Sequence, residues 1–233
     1  MTNSTASCQR HAVSQSAPSA ETVTMSTTPT PDFKASMHPT KVKLLDTVVE
    51  MLDVLQPDEI NVAIIVETSG VSHGSLYHHY EDLDDLVEQA IAKRYRRGLE
   101  SSVNDGKAFL DGATSETDFR VRLEHLLYEL HRPDRRANRA ERVQSIGAIG
   151  GHPRLRRLIA ADQQALTDAA AELLRVPLER GWIRPEVDTT AFLVFTQALL
   201  TGRIVDDVSA QHIDPELWTS MAVRASFALL FDE

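Results

Sequence analysis

The densest set of chemically capable side chains lies at Ser72-His73-Gly74-Ser75-Leu76-Tyr77-His78-His79-Tyr80. Hydroxyls and imidazoles dominate it, and residues 69–80 contain no acid. Such a surface suits hydrogen bonding to an acceptor-rich partner. Imidazoles also gain charge near pH ~6.5, more readily in a negative field. Metal ligation by His73, His78 and His79 with Glu81 or Asp82 is the competing chemistry, but that spacing converges poorly on one ion. Catalysis finds less support. The chain has no Gly-x-Ser-x-Gly elbow, no phosphate-cradling glycine loop and no His-Glu-x-x-His. Gly147-Ala148-Ile149-Gly150-Gly151 is glycine-rich, but it reads as a turn between helices with no strand before it. The expectation is a non-enzyme with no catalytic residue, no metal and no cofactor.

Helical elements must position these groups. Asn61 caps a short apolar segment that stops at Ser69-Gly70, where glycine can take a left-handed turn. Ser72 caps the next helix, over about 73–79, with Leu76 and Tyr80 facing a core. Ahead of them Leu45, Val48, Leu52 and Leu55 share one helix face, with Thr40 as the expected cap and Pro57 as the stop. Behind them Asp82 caps a helix with an acidic first turn and a basic end at Lys93-Arg94-Arg96-Arg97, reaching about Val103. Two short helices joined by a tight glycine turn form a helix-turn-helix, whose second helix fits the DNA major groove.

Further helices are expected at about 116–131, 134–149, 153–180, 188–207 and 214–231. Pro153 stands at a first turn, Pro177 should kink or end its helix early, and Asp188 and Asp214 mark the last two starts. No strand-period stretch or internal repeat is found. The fold class is all-α: residues 1–39 a disordered tail, 40–95 a helix-turn-helix domain, 96–233 a helical effector-binding and dimerisation domain. The tail holds seven Ser, seven Thr and four Pro with one aromatic, Phe33, too little apolar surface to offset ordering. Met25 and Met37 are alternative starts.

Composition bounds the setting. The 233 residues are 42% hydrophobic and 25% charged, ordinary for a soluble protein. No run is long and apolar enough for a membrane span, no short apolar run follows a basic start so no secretory signal is expected, and one cysteine, Cys8, makes no disulfide framework. A cytoplasmic setting without membrane partners is expected. Net charge is −10, which does not advertise a nucleic-acid binder. Residues 41–92 hold eleven acids and only two basic residues, Lys41 and Lys43. Phosphate neutralisation dominates DNA affinity, so this head should bind weakly unless its acids face away. If histidines replace the missing cations, affinity should rise as pH falls from about 8 toward 6.

Leu44-Leu45-Asp46, Gly70-Val71-Ser72, Leu76-Tyr77-His78-His79-Tyr80 and Leu86 together resemble the TetR (tetracycline-repressor-like) family of bacterial one-component regulators. The resemblance spans about residues 41–95. It departs at Gln56-Pro57, where the family commonly has glycine, at Ala63, where a basic or polar residue is common, and at Leu83, where a lysine often grips phosphate. It implies a homodimeric repressor of double-stranded operator DNA, released by a small-molecule effector. DNA contacts are implied for Lys41, Lys43, Val62, Ser72, His73, Ser75, Tyr77, His78 and His79. The alternative is a TetR-like fold that has lost DNA binding and acts as an interaction or ligand-sensing protein.

Beyond the head, Leu123, Leu126, Leu127 and Leu130 read as core, and His125, Tyr128 and Trp182 are polar-tipped candidates for orienting a ligand. Residues 132–157 hold eight arginines, with Arg135, Arg139 and Arg142 on one helix face. They form either a solvated or acid-pairing surface or a mouth that attracts an anionic effector. Phe192, Phe195, Leu199 and Gly202 fall near one stripe, and Leu217, Met221 and Ala225 near another. Dimer contacts are expected at Phe195, Leu199, Gly202, Leu217, Met221 and Ala225, as a four-helix bundle of two copies.

Overall fold

The computed structural model describes residues 37–231, and every regular element among them is helical. The expected disordered tail falls almost wholly outside the described residues. Helix α1 (Pro39–Met51) opens on Pro39, whose fixed φ suits a first turn. Its cap is His38, not Thr40: Nδ1 of His38 accepts from the Thr40 N–H at 3.2 Å. It ends at Met51 rather than Leu55, with a 3-10 turn at Pro57–Glu59 before the next helix.

Helix α2 (Val62–Ser69) is capped by Asn61, which accepts from the Ile64 N–H at 3.2 Å, and ends on Gly70 at φ 65°. A β-carbon would strain that left-handed turn. Helix α3 (His73–His79) follows, with Ser72 as cap. Helix α4 (Leu83–Leu110) starts on Asp82 as expected but runs seven residues past Val103. Leu99, Gly106 and Leu110 are buried along it, so packing carries the helix beyond its basic run.

Helices α5 (Glu116–Leu130), α6 (Arg136–Gly147) and α7 (Pro153–Glu179) come next. Pro177 neither ends α7 early nor stands outside it, because it falls in the last turn, where only one backbone bond is lost. The expected helix at 188–207 divides at Arg203 into α8 (Thr189–Gly202) and α9 (Ile204–Asp207). Helix α10 (Pro215–Leu230) closes the fold from its Asp214 cap.

Two apolar cores result. One joins α1 to α4 around Leu44, Val48, Ile65, Leu76 and Leu86, and takes Leu155 and Ile159 from α7. The other packs Phe119, Leu123 and Leu127 of α5 against Leu174, Phe192, Val223 and Leu230. Helices α4 and α7 lie against each other and contribute to both. Residues 95 and 96 lie within α4, with no linker between the helix-turn-helix and the helices behind it.

Candidate nucleic-acid interface

The inner face of α3 is fixed by burial. Leu76 is fully buried and Tyr80 nearly so, and the Tyr80 hydroxyl donates to the Lys41 carbonyl at 2.8 Å. Burial, with Asp85 and Asp46 nearby, pushes that phenol well above its usual range. The Lys41 ammonium lies 5.1 Å from the Tyr80 ring centre, so α1 and the end of α3 are locked together. The Ser72 side chain accepts from the Ser75 N–H at 3.3 Å, a cap contributing about 1 kcal/mol.

The outer face follows from the same helical period. Ser72, His73, Tyr77 and His78 are exposed, Tyr77 by 47%, while Ser75 and His79 are half-buried. The His73 and Tyr77 rings stand 5.0 Å apart, and so do those of His78 and His79. His79 also lies 4.8 Å from His38. Lys43 is exposed on α1, and Val62 is half-buried at the start of α2. Sequence thus brings His73, Tyr77 and His78 onto one exposed surface, whereas Val62 packs against the first core.

Protonation divides the histidines. Desolvation, together with His38, His78 and Lys41, holds His79 below the ordinary imidazole range. A rise in DNA affinity at low pH therefore does not rest on His79. His38 accepts from a backbone N–H, which requires an unprotonated Nδ1.

Most of the acids that set the head's negative balance are paired. Asp46 pairs with Lys93, and Asp53 with Arg94 at 3.4 Å and Arg97 at 3.7 Å. Arg154, at the start of α7, reaches Asp85 at 3.1 Å, Asp82 at 3.4 Å, and Glu81 and Glu88 at 3.6 Å. Burial opposes ionisation of Asp85, but hydrogen bonds from Gln89, the Glu81 N–H and Arg154 hold its carboxyl below the usual range. Glu88 is buried, and the His152 ring approaches it at 3.0 Å. Arg154 belongs to the arginine run read from the sequence as a solvated face or one pairing with the acidic head, and it does pair with that head; His152 is not among the residues the sequence singled out.

The other proposed sites lie elsewhere. His125 is exposed at 4.8 Å from the Phe109 ring, Tyr128 is exposed, and Trp182 is half-buried between Phe119 and Arg180. None of the three lines the two cavities described below. On α8 and α10, Phe195, Gly202, Leu217 and Met221 are exposed, and Leu199 and Ala225 are half-buried. Phe192 sits in the second core instead. Among the described residues no cluster of three metal-ligating side chains occurs, and no helix is long and apolar enough to cross a membrane.

No family model and no curated protein matches the chain. Solved structures do. A TetR-family transcriptional regulator from Cytophaga hutchinsonii superposes with a TM-score of 0.60 at 13% identity, over 83% of this chain and 96% of that one. The fatty acid degradation regulator FadR from Bacillus halodurans gives 0.55 at 16% identity, over 82% and 95%. A protein from Saccharomonospora viridis, assigned as a transcriptional regulator and solved in complex with choline, gives 0.59 at 16%, over 83% and 98%. The fold of this chain is that of TetR-family transcriptional regulators.

Proposed function

We propose that this chain is a sequence-specific, DNA-binding transcriptional regulator: a cytoplasmic homodimeric repressor released by a small-molecule effector. The observation that carries the reading is α3. Its inner residues, Leu76 and Tyr80, anchor it in the head, and Tyr77, His73 and His78 stand outward from a stretch, residues 69–80, that contains no acid. A short helix presented this way places donors against base edges and phosphates in the major groove. Residues 40–95 form the head and 96–233 the effector and dimer region, with α4 running through both as the coupling element.

One short recognition helix with few cations needs a second copy on the same duplex. The exposed apolar residues Phe195, Val194, Leu217, Met221 and Leu229 supply a surface for it. An open cleft of about 620 Å³ runs beside α10, lined in part by Met221, Ala225 and Phe231. Packing α8 and α10 against their copies buries these residues across a two-fold axis. At Gly202 an added Cβ meets nothing within 4 Å in one copy, so Gly202→Leu is aimed at a contact between copies.

An electrophoretic shift against fragments of the chain's own upstream DNA tests the core of this reading. A specific shift, with sedimentation showing a dimer at micromolar concentration, is expected. Gly202→Leu or Ala225→Arg should give a folded monomer with much weaker shift. No specific shift by a folded dimer would leave the fold as a ligand-sensing or interaction protein instead.

A further inference from the structure

A cavity of about 280 Å³ lies between α4, α6 and the end of α8. Arg94, Arg97, Arg135, Arg139 and Arg142 line it, against one carboxylate, Glu141. Four of these cations have acidic partners. Arg139 forks onto Asp207 at 2.8 and 2.9 Å, and Arg135 meets Asp105 at 2.7 Å. Arg94 lies 3.4 Å from both Asp53 and Glu141, and Arg97 lies 3.7 Å from Asp53.

Arg142 differs. Among the described residues it has no carboxylate partner. One terminal nitrogen donates to the amide oxygens of Gln163 and Gln197, each at 2.9 Å, and the guanidinium stands 5.8 Å from the Tyr95 ring centre. Those are neutral groups, and they leave its charge in place. Its Nε is buried without a hydrogen-bond partner, and so is the Nε of Arg94. A guanidinium on a cavity wall with no carboxylate partner calls for an anion. Leu130 and Leu200 add apolar wall. The volume lies just below the ~300–1,000 Å³ range of ligand pockets, which suits a small ligand.

We propose that this cavity binds a small monocarboxylate with a short apolar chain, its carboxylate paired with Arg142 and its chain against Leu130 and Leu200. One uncompensated guanidinium matches one negative charge. A dianion would leave surplus charge in a half-buried site. The site deepens the effector role proposed above, and only its consequence at the operator rests on that reading. Arg94 also donates to the Leu52 carbonyl at 2.7 Å, tying the end of α1 to this wall. Arg94 and Arg142 line the same cavity, so a carboxylate held at Arg142 acts on the wall to which the head is tied, which couples the two sites.

Titration calorimetry on the full chain without DNA, using butanoate, hexanoate and octanoate, tests the site. Hexanol and inorganic phosphate are the controls. We expect hexanoate to bind at least roughly tenfold more tightly than either control, and Arg142→Gln to lose that advantage. Gly98→Leu keeps the test decisive if Arg142→Gln does not fold. Gly98 lines the cavity within α4, an added Cβ there meets nothing within 4 Å, and leucine favours the helix more than glycine does. It should retain its melting temperature and lose hexanoate. The proposal is overturned if no carboxylate binds, if hexanol binds as well as hexanoate, or if the folded variants bind like the parent. If hexanoate binds but leaves an operator shift unchanged, the cavity stands and its effector role falls.

Discussion

The outer face of α3 and the start of α7 hold their polar groups in opposite ways. On α3, Tyr77, His73 and His78 are exposed, with no acid from residue 69 to 80. At the start of α7, Arg154 engages Glu81, Asp82, Asp85 and Glu88, and His152 covers Glu88. The difference shows that the formal charge of a segment is a poor guide to the surface it presents. Eleven acids in residues 41–92 suggest a repelled head. Six of them, Asp46, Asp53, Glu81, Asp82, Asp85 and Glu88, are held by Lys93, Arg94, Arg97 or Arg154, all outside that segment. Affinity for DNA depends on charges close to the phosphates, and acids already paired elsewhere oppose it less.

The largest effects should come from breaking internally satisfied groups. Arg139→Ala leaves the buried Asp207 carboxyl the longer contact with Arg136 at 3.9 Å, but removes the Arg139 hydrogen bonds that hold it below the usual range against the cost of burial. A loss of about 3 kcal/mol in urea unfolding is expected. Leu76→Ala empties a fully buried site on the inner face of α3 and should cost about 2–5 kcal/mol. An equal loss from its exposed neighbour Tyr77→Ala would erase the distinction between the two faces.

Acid should act on the interior more than on α3. Burial, then Arg203 and Arg139, push His131 down to about 4, and its Nδ1 accepts from the Trp218 indole at 3.2 Å. The unfolded chain takes up that proton near pH ~6.5, before the folded one does. Stability is therefore full above ~6.5 and lost as pH falls toward 4, by about 3 kcal/mol. Melting curves across that range should show the loss, and His131→Gln should flatten it; a parallel decline in the variant would assign the acid sensitivity elsewhere.

Surface changes should be smaller and specific to DNA. Tyr77→Ala and His78→Ala should each weaken operator binding by about 1–3 kcal/mol with an unchanged circular dichroism spectrum. Unaltered affinity in both variants removes α3 as the reading element. Lowering pH from 8 to 6 at fixed salt should strengthen binding, and His79→Asn should preserve that trend. Arg154→Ala should have the least effect on melting, a small drop at low salt that high salt abolishes, because its pairs are partly exposed. Its sharper signature is weaker operator binding once four head carboxylates lose their cation.

What the sequence by itself determined is local. Asn61, Gly70, Ser72, Asp82, Asp188 and Asp214 end or begin helices where their side chains predict, because a cap acts within about four residues of its own backbone. The spacing of Leu76, Tyr77 and Tyr80 likewise fixed which face of α3 is buried. The His38 cap was also local; Pro39 was its signal, and Thr40 only the more familiar cap type. Tertiary structure alone decided which acid an arginine meets on another helix. Arg154 and Asp85, or Arg139 and Asp207, are far apart in the chain and meet only through helix packing. The same packing left Arg142 among glutamines rather than carboxylates and opened the cavity beside it. Periodicity tells an arginine which way to face and can supply a partner one turn away, but a partner on another helix depends on how the helices cross, which no local pattern encodes.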